Sequence, residues 1–264
     1  MNTTPGTDST VVVHPDQDVL AAATAARLLA TLSEVQARKG SASLVLTGGG
    51  TGIAVLEQVR SSPARDAVDW SRLDVYWGDE RFVPADDDER NEKQARAALL
   101  DHVPVDESRV HPMAASDGAF GDDPDAAAAA YAEVLAASAR STGTASGSAV
   151  EVPSFDVLLL GLGGEGHTAS IFPDTPAARE GRASVVAVRD CPKPPPTRLS
   201  LTFPAIRAAQ EVWLLTAGEA KADAVALALA GADPVSLPVA GARGKQRTVW
   251  LLDKAAAAKA QPTH

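Results

Sequence analysis

Apolar residues along this chain fall into short, nearly uninterrupted runs at 11–13, 44–46, 73–77, 157–160, 185–188, 212–215 and 249–252. Runs of that length without regular polar alternation predict strands buried on both faces. Between them, 18–38, 52–60, 91–100, 124–140 and 219–230 carry helical periodicity or strong helix formers. Asp16 is placed to cap the first helix and Gly40 to end it. Strand–helix alternation predicts helices on both faces of a mostly parallel sheet.

The Ser/Thr/Gly-rich stretch 141–148 is the one clear shift in composition, and the strand pattern continues on both sides of it. It reads as a flexible surface loop (141–150) inside one domain spanning 1–264, rather than as a linker. Alanine is abundant and aromatic residues make up only 4%, which suits helices packed closely on a sheet. The net charge of −10 argues against a nucleic-acid or anionic-membrane surface, yet leaves room for a local basic cluster around a small anion. Cys191 is the single cysteine, so no internal disulfide and no multi-cysteine metal site is expected. The first ten residues carry no basic region followed by an apolar stretch, and the expectation is a soluble, cytoplasmic protein.

Ligands of open parallel sheets sit beyond the carboxyl ends of strands, and three such ends are unusual here. After 44–46 come Thr47, Gly48, Gly49, Gly50 and Thr51, where converging N–H groups and a helix N-terminus suit a phosphate. A strand-to-helix turn alone needs one glycine, and no Walker lysine follows. After 73–77 come Asp79, Glu80 and Arg81, three adjacent charges that suit a site or a solvated loop about equally. The acidic tract 86–89 reads as solvated surface that can cap the helix beginning at Asn91.

After 157–160, Gly161, Gly163 and Gly166 match the dinucleotide pattern, with Asp190 near a following strand end. Pro173 and Pro176 would stop the long helix that a dinucleotide unit requires, which weakens an NAD-dependent reading. What remains is a glycine loop presenting Glu165 and His167, and imidazole can take a proton from water and return it to a leaving group. Lone histidines are usually structural, and His14, His102, His111 and His264 are read so. Neither a serine-nucleophile elbow nor an HExxH zinc motif occurs, so water activated by a base fits better. Arg198 and Lys221 complete the basic set; Lys193, Arg243, Lys245 and Arg247 are read as surface.

Taken together, LTGGGTG, WGDERFVP with Asn91 downstream, GLGGEGHTASIFP, RLSLTFPAI and the GEAK helix start resemble the 6-phosphogluconolactonases. The resemblance implies a three-layer α/β/α sandwich with a mostly parallel, Rossmann-like central sheet. It further implies hydrolysis of 6-phospho-D-glucono-1,5-lactone without a cofactor or metal. On that likeness the glycine loop, Arg198 and Lys221 would hold the 6-phosphate, His167 would be the base, and Asp79, Glu80 and Arg81 would line the sugar site. Glu165 departs from the Asp often found there in the family, and either it or Asp79 is the candidate carboxylate beside the base. Related glucosamine-6-phosphate deaminases usually carry Asn-Glu-Pro after the histidine loop, where this chain has Phe172-Pro173-Asp174. A non-catalytic sugar-phosphate sensor is the reading of another class, and it would not need His167. The partner expected is the phosphorylated sugar lactone alone, bound by a monomer or weak dimer.

Overall fold

The computed structural model describes residues 8–143 and 150–260, so most of the 141–148 stretch and His264 lie outside the described residues. The elements run β1 (Asp8–His14), α1 (Gln17–Lys39), β2 (Ala42–Leu46), α2 (Gly49–Ser61), β3 (Leu73–Trp77), β4 (Asp79–Arg81), α3 (Asn91–Ala98) and α4 (Pro124–Thr142). They continue β5 (Val157–Gly161), α5 (Pro176–Arg179), β6 (Val185–Val188), β7 (Arg198–Leu201), α6 (Phe203–Ile206), β8 (Glu211–Thr216), α7 (Ala222–Leu229) and β9 (Arg247–Asp253).

Six strands form one parallel sheet in the order β1-β9-β8-β5-β2-β3. Its alternating side chains divide the core in two. Leu44, Leu46, Val75, Trp77, Leu159 and Trp213 face α1, α2 and α3, whereas Val45, Leu158, Leu160, Leu214 and Trp250 face α4, α6 and α7. Both faces are therefore covered, and each fully buried Leu or Val contributes about 1.5–3 kcal/mol. Asp16 caps α1 by accepting from the N–H of Val19, and Gly40 closes that helix with φ +83°. Among the described residues no helix is long and apolar enough to cross a membrane.

A second sheet departs from the expected pattern. β4, β7 and β6 form a small antiparallel sheet in that order, so the apolar run 185–188 does not join the parallel ladder. Gly78 joins the two sheets: its N–H donates to Leu46 O in β2, and its carbonyl accepts from Leu201 N in β7. That bend carries Asp79 and Arg81 over the carboxyl ends of the central strands. After β5 the chain makes no long helix; α5 has four residues and begins at Pro176. The βαβ unit of a dinucleotide site is thus missing at this position.

The chain steps from β2 to β3 on one side, and from β5 to β8 on the other, so the strand order reverses between β2 and β5. The ladder between these two strands stops at Val45–Leu158, short of their carboxyl ends. A crevice at such a reversal is where open α/β sheets bind ligands.

Candidate active site

The crevice at this reversal has a volume of about 340 Å³. The loop after β2 supplies Thr47, Gly48, Gly49, Gly50 and Thr51; the bend after β3 supplies Asp79 and Arg81. His167 comes from the loop after β5, Lys221 from the turn after β8, and Arg198 from β7. Lys193, expected at the surface, and Asn91, expected only at a helix start, also line it.

Helix α2 begins at Gly49 rather than at residue 52, with Gly48 as an N-cap that makes no side-chain hydrogen bond. The free N–H groups of its first turn border the crevice, as an anion site requires. Gly48 has a steric reason to lack a side chain, because a Cβ there would overlap the Asn91 carboxamide. Asn91 is 2% exposed; its Nδ2 donates to the Asp79 carbonyl at 2.8 Å, and its Oδ1 is buried without a partner.

His167 sits on a tight turn in which Gly163 N donates to His167 O at 2.9 Å and Gly166 N to Gly163 O at 3.0 Å. A Cβ on Gly163 would overlap the imidazole ring. The ring stacks on Phe172 at 4.4 Å between centroids, which fixes its plane. Glu165 Oε1 lies 3.1 Å from Nδ1, yet Nδ1 is buried and makes no formed hydrogen bond. The other Glu165 oxygen meets Lys193 Nζ at 3.2 Å. Burial pushes the imidazole below its ordinary pKa; Glu165 and Asp79 oppose that shift and Lys193 reinforces it. Partial burial would raise Glu165, but its own backbone N–H, His167 and Lys193 together hold its carboxyl below the usual range.

Asp79 is buried and accepts from Ser170 Oγ at 2.7 Å. Glu80, placed beside it in sequence, does not reach the crevice. As alternate residues of a strand must, its side chain points the other way. It is fully buried and accepts from the N–H groups of Arg81 (2.7 Å), Asn91 (2.7 Å) and Glu92 (2.9 Å), with Arg90 Nη2 at 3.7 Å. Glu80 thus corrects two expectations. It does not line the sugar site, and it, not the 86–89 tract, satisfies the start of α3. Burial pushes its carboxyl up to about 7 against Arg90 and these three donors.

Arg81 and Arg198 stand directly opposite each other across β4 and β7, and both border the crevice. Like charges in that register repel, and an anion between them relieves the repulsion. Arg198 is 5% exposed; its Nε and Nη2 donate to the carbonyls of Pro195 (3.2 Å), Lys193 (3.0 Å) and Pro194 (3.4 Å). It therefore clamps the 192–196 loop as well as bordering the crevice. Lys221 forms no salt bridge or side-chain hydrogen bond within the described residues, and burial, with Lys193 nearby, lowers its pKa. His14, His102 and His111 lie outside the crevice; His111 stacks on Tyr76 at 4.6 Å. Cys191 is a buried free thiol, and Arg243, Lys245 and Arg247 do not reach the site.

Fold and site define a class: a Rossmann-like α/β protein whose strand-reversal crevice sets a histidine–carboxylate pair beside a cluster of cations on an otherwise acidic chain. Comparison with known proteins narrows it. Residues 15–250 match the family model described as glucosamine-6-phosphate isomerases/6-phosphogluconolactonase, and the chain belongs to that family. It is 58% identical to the 6-phosphogluconolactonase of Streptomyces coelicolor, over 94% of each chain. To that of Mycobacterium tuberculosis it is 55% identical, over 95% of this chain and 98% of the other. The solved 6-phosphogluconolactonase of Trypanosoma brucei superposes with a TM-score of 0.79 at 29% identity, covering 96% of this chain and 99% of that one.

Proposed function

We infer that this chain hydrolyses 6-phospho-D-glucono-1,5-lactone to 6-phospho-D-gluconate, the lactonase step of the pentose phosphate pathway. The high-identity lactonase relatives support that activity over nearly the whole chain. The observation that carries the chemistry is His167, held by a glycine turn in a crevice ringed by Arg81, Arg198, Lys193 and Lys221.

In this reading the phosphate is held by the first turn of α2 with Arg198 and Lys221, which fixes the lactone carbonyl against an attacking water. Glu165 faces Nδ1, so Nε2 of His167 takes the proton from that water as it adds to C1. Arg81 and the loop N–H groups stabilise the tetrahedral oxyanion. When the carbonyl re-forms, the bond from C1 to the ring oxygen breaks and the imidazolium returns its proton to that oxygen. The new carboxyl then ionises. Asp79, held by Ser170, adds a second negative charge near the imidazolium.

Freshly generated phosphogluconolactone and glucosamine-6-phosphate, assayed side by side, test the substrate. Lactone opening well above the spontaneous rate is the expected result. Turnover of the amino sugar alone would overturn the assignment.

A further inference from the structure

The sequence gives Lys193 the look of a surface residue, and half of its side chain is indeed exposed. Its position is nonetheless built. Arg198, itself buried, holds the carbonyls of residues 193–195 through three hydrogen bonds, so the backbone that carries Lys193 is anchored beside the crevice. From there Nζ reaches Glu165 Oε2 at 3.2 Å, while Glu165 Oε1 stands 3.1 Å from His167 Nδ1. The two oxygens of one carboxylate thus face two groups, and with Lys193 holding Oε2 the carboxylate stands close to Nδ1 without forming the hydrogen bond that distance would permit. The same ammonium borders the crevice together with Arg81, Arg198 and Lys221, where an anionic substrate would compete for it.

We propose that Lys193 is a positioning residue whose ammonium is shared between Glu165 and the substrate phosphate. Binding of the anion draws Lys193 off Glu165 Oε2 and lets that carboxylate turn to accept the Nδ1–H of His167. Substrate binding then completes the base: Nδ1 carries the proton, Nε2 faces the water, and the forming imidazolium gains a full counter-charge. The charged groups around the imidazole are consistent with this coupling. Glu165 and Asp79 favour its protonation and Lys193 opposes it, with Lys221, Arg81 and Arg198 as the further cations of the crevice. The inference rests on the lactonase reading for its substrate, and on geometry alone for the Lys193–Glu165–His167 relay.

The test is an NMR titration of His167 in the full chain, with and without inorganic phosphate, for wild type, Lys193→Met and Lys193→Arg. Steady-state lactone kinetics across pH accompany it. Wild type should titrate at higher pH when phosphate is bound. Lys193→Met should already titrate higher without phosphate and respond less to its addition. Its lactone KM should rise about 2- to 5-fold, as loss of one partly screened ion contact implies. Lys193→Arg should restore most of both properties. A Lys193→Met titration equal to wild type, or an undiminished phosphate response, would overturn the proposal. Because the titration needs no turnover, a chain inactive on lactone would sink the assigned activity and still leave the relay to be judged by its own result.

Discussion

Gly163→Ala tests the placement of His167 with a single added methyl group. The backbone at residue 163 is not in the left-handed region, so alanine adds no conformational strain there. Its Cβ would nevertheless overlap the imidazole and press on Glu165 Oε2 at 2.8 Å. Ordinary contact begins near 3.4 Å, so the ring must retreat by more than an ångström. A displacement of about 1 Å at a reacting group costs roughly 100-fold in rate, equivalent to about 2.7 kcal/mol of barrier. Gly164→Ala is the matched control, since its Cβ would meet only Ala220 O at 3.4 Å and Lys221 Nζ at 3.9 Å. Stopped-flow lactone hydrolysis, corrected for spontaneous opening, should show kcat down about 100-fold for Gly163→Ala and within about twofold of wild type for Gly164→Ala. Urea unfolding should place Gly164→Ala within about 1 kcal/mol of wild type and Gly163→Ala within about 3 kcal/mol, so that both remain folded under assay conditions. A Gly163→Ala enzyme with normal kcat would refute the reasoning, because His167 would then not be needed where the turn puts it.

Four further outcomes follow from the same geometry. His167 must be neutral to act as a base, and its pKa lies below the ordinary value, so activity should persist to lower pH than a free imidazole allows. Glu165→Gln removes a charge that favours the imidazolium, and the acid limb of the kcat/KM profile should move to still lower pH; an upward move would contradict the assigned electrostatics. Glu80→Gln replaces an oxygen that serves the N–H groups at the start of α3 and removes one of the two carboxylates beside buried Arg90, with Glu92 remaining at 3.0 Å. It should cost about 1–3 kcal/mol in urea unfolding, and an unchanged midpoint would remove Glu80 from that role. Ser170→Ala strips the donor from buried Asp79 and should cost about 1–2 kcal/mol, with an unchanged unfolding curve as the contrary result.

Much of the fold was legible because parallel strands covered on both faces must be apolar throughout. β2, β3, β5, β8 and β9 stand out as runs, and Asp16 and Gly40 mark the ends of α1 by local chemistry alone. β4 and β7 did not stand out as strands. Their pairing joins residues more than a hundred positions apart, and β4 is the charged triplet Asp79-Glu80-Arg81. That triplet also shows why the site was harder to read than the sheet. Strand geometry sends alternate side chains to opposite sides, so Asp79 and Arg81 enter the crevice while Glu80 turns inward to α3. The glycine loops advertise themselves by composition. Lys193 and Asn91 do not, because one depends on a clamp from Arg198 and the other on packing against Gly48. A signal for Asn91 existed in its place at the start of a helix following the charged bend.

In the proposed mechanism His167 activates water directly, without a nucleophilic side chain. The most direct measurement is the pH dependence of lactone hydrolysis by His167→Ala, with circular dichroism confirming the fold, in the presence and absence of added imidazole. His167→Ala should lose at least about 100-fold in kcat together with the acid limb, with partial recovery by imidazole at pH values where it is neutral. Near-normal turnover by His167→Ala, with the wild-type pH profile retained, would contradict that mechanism.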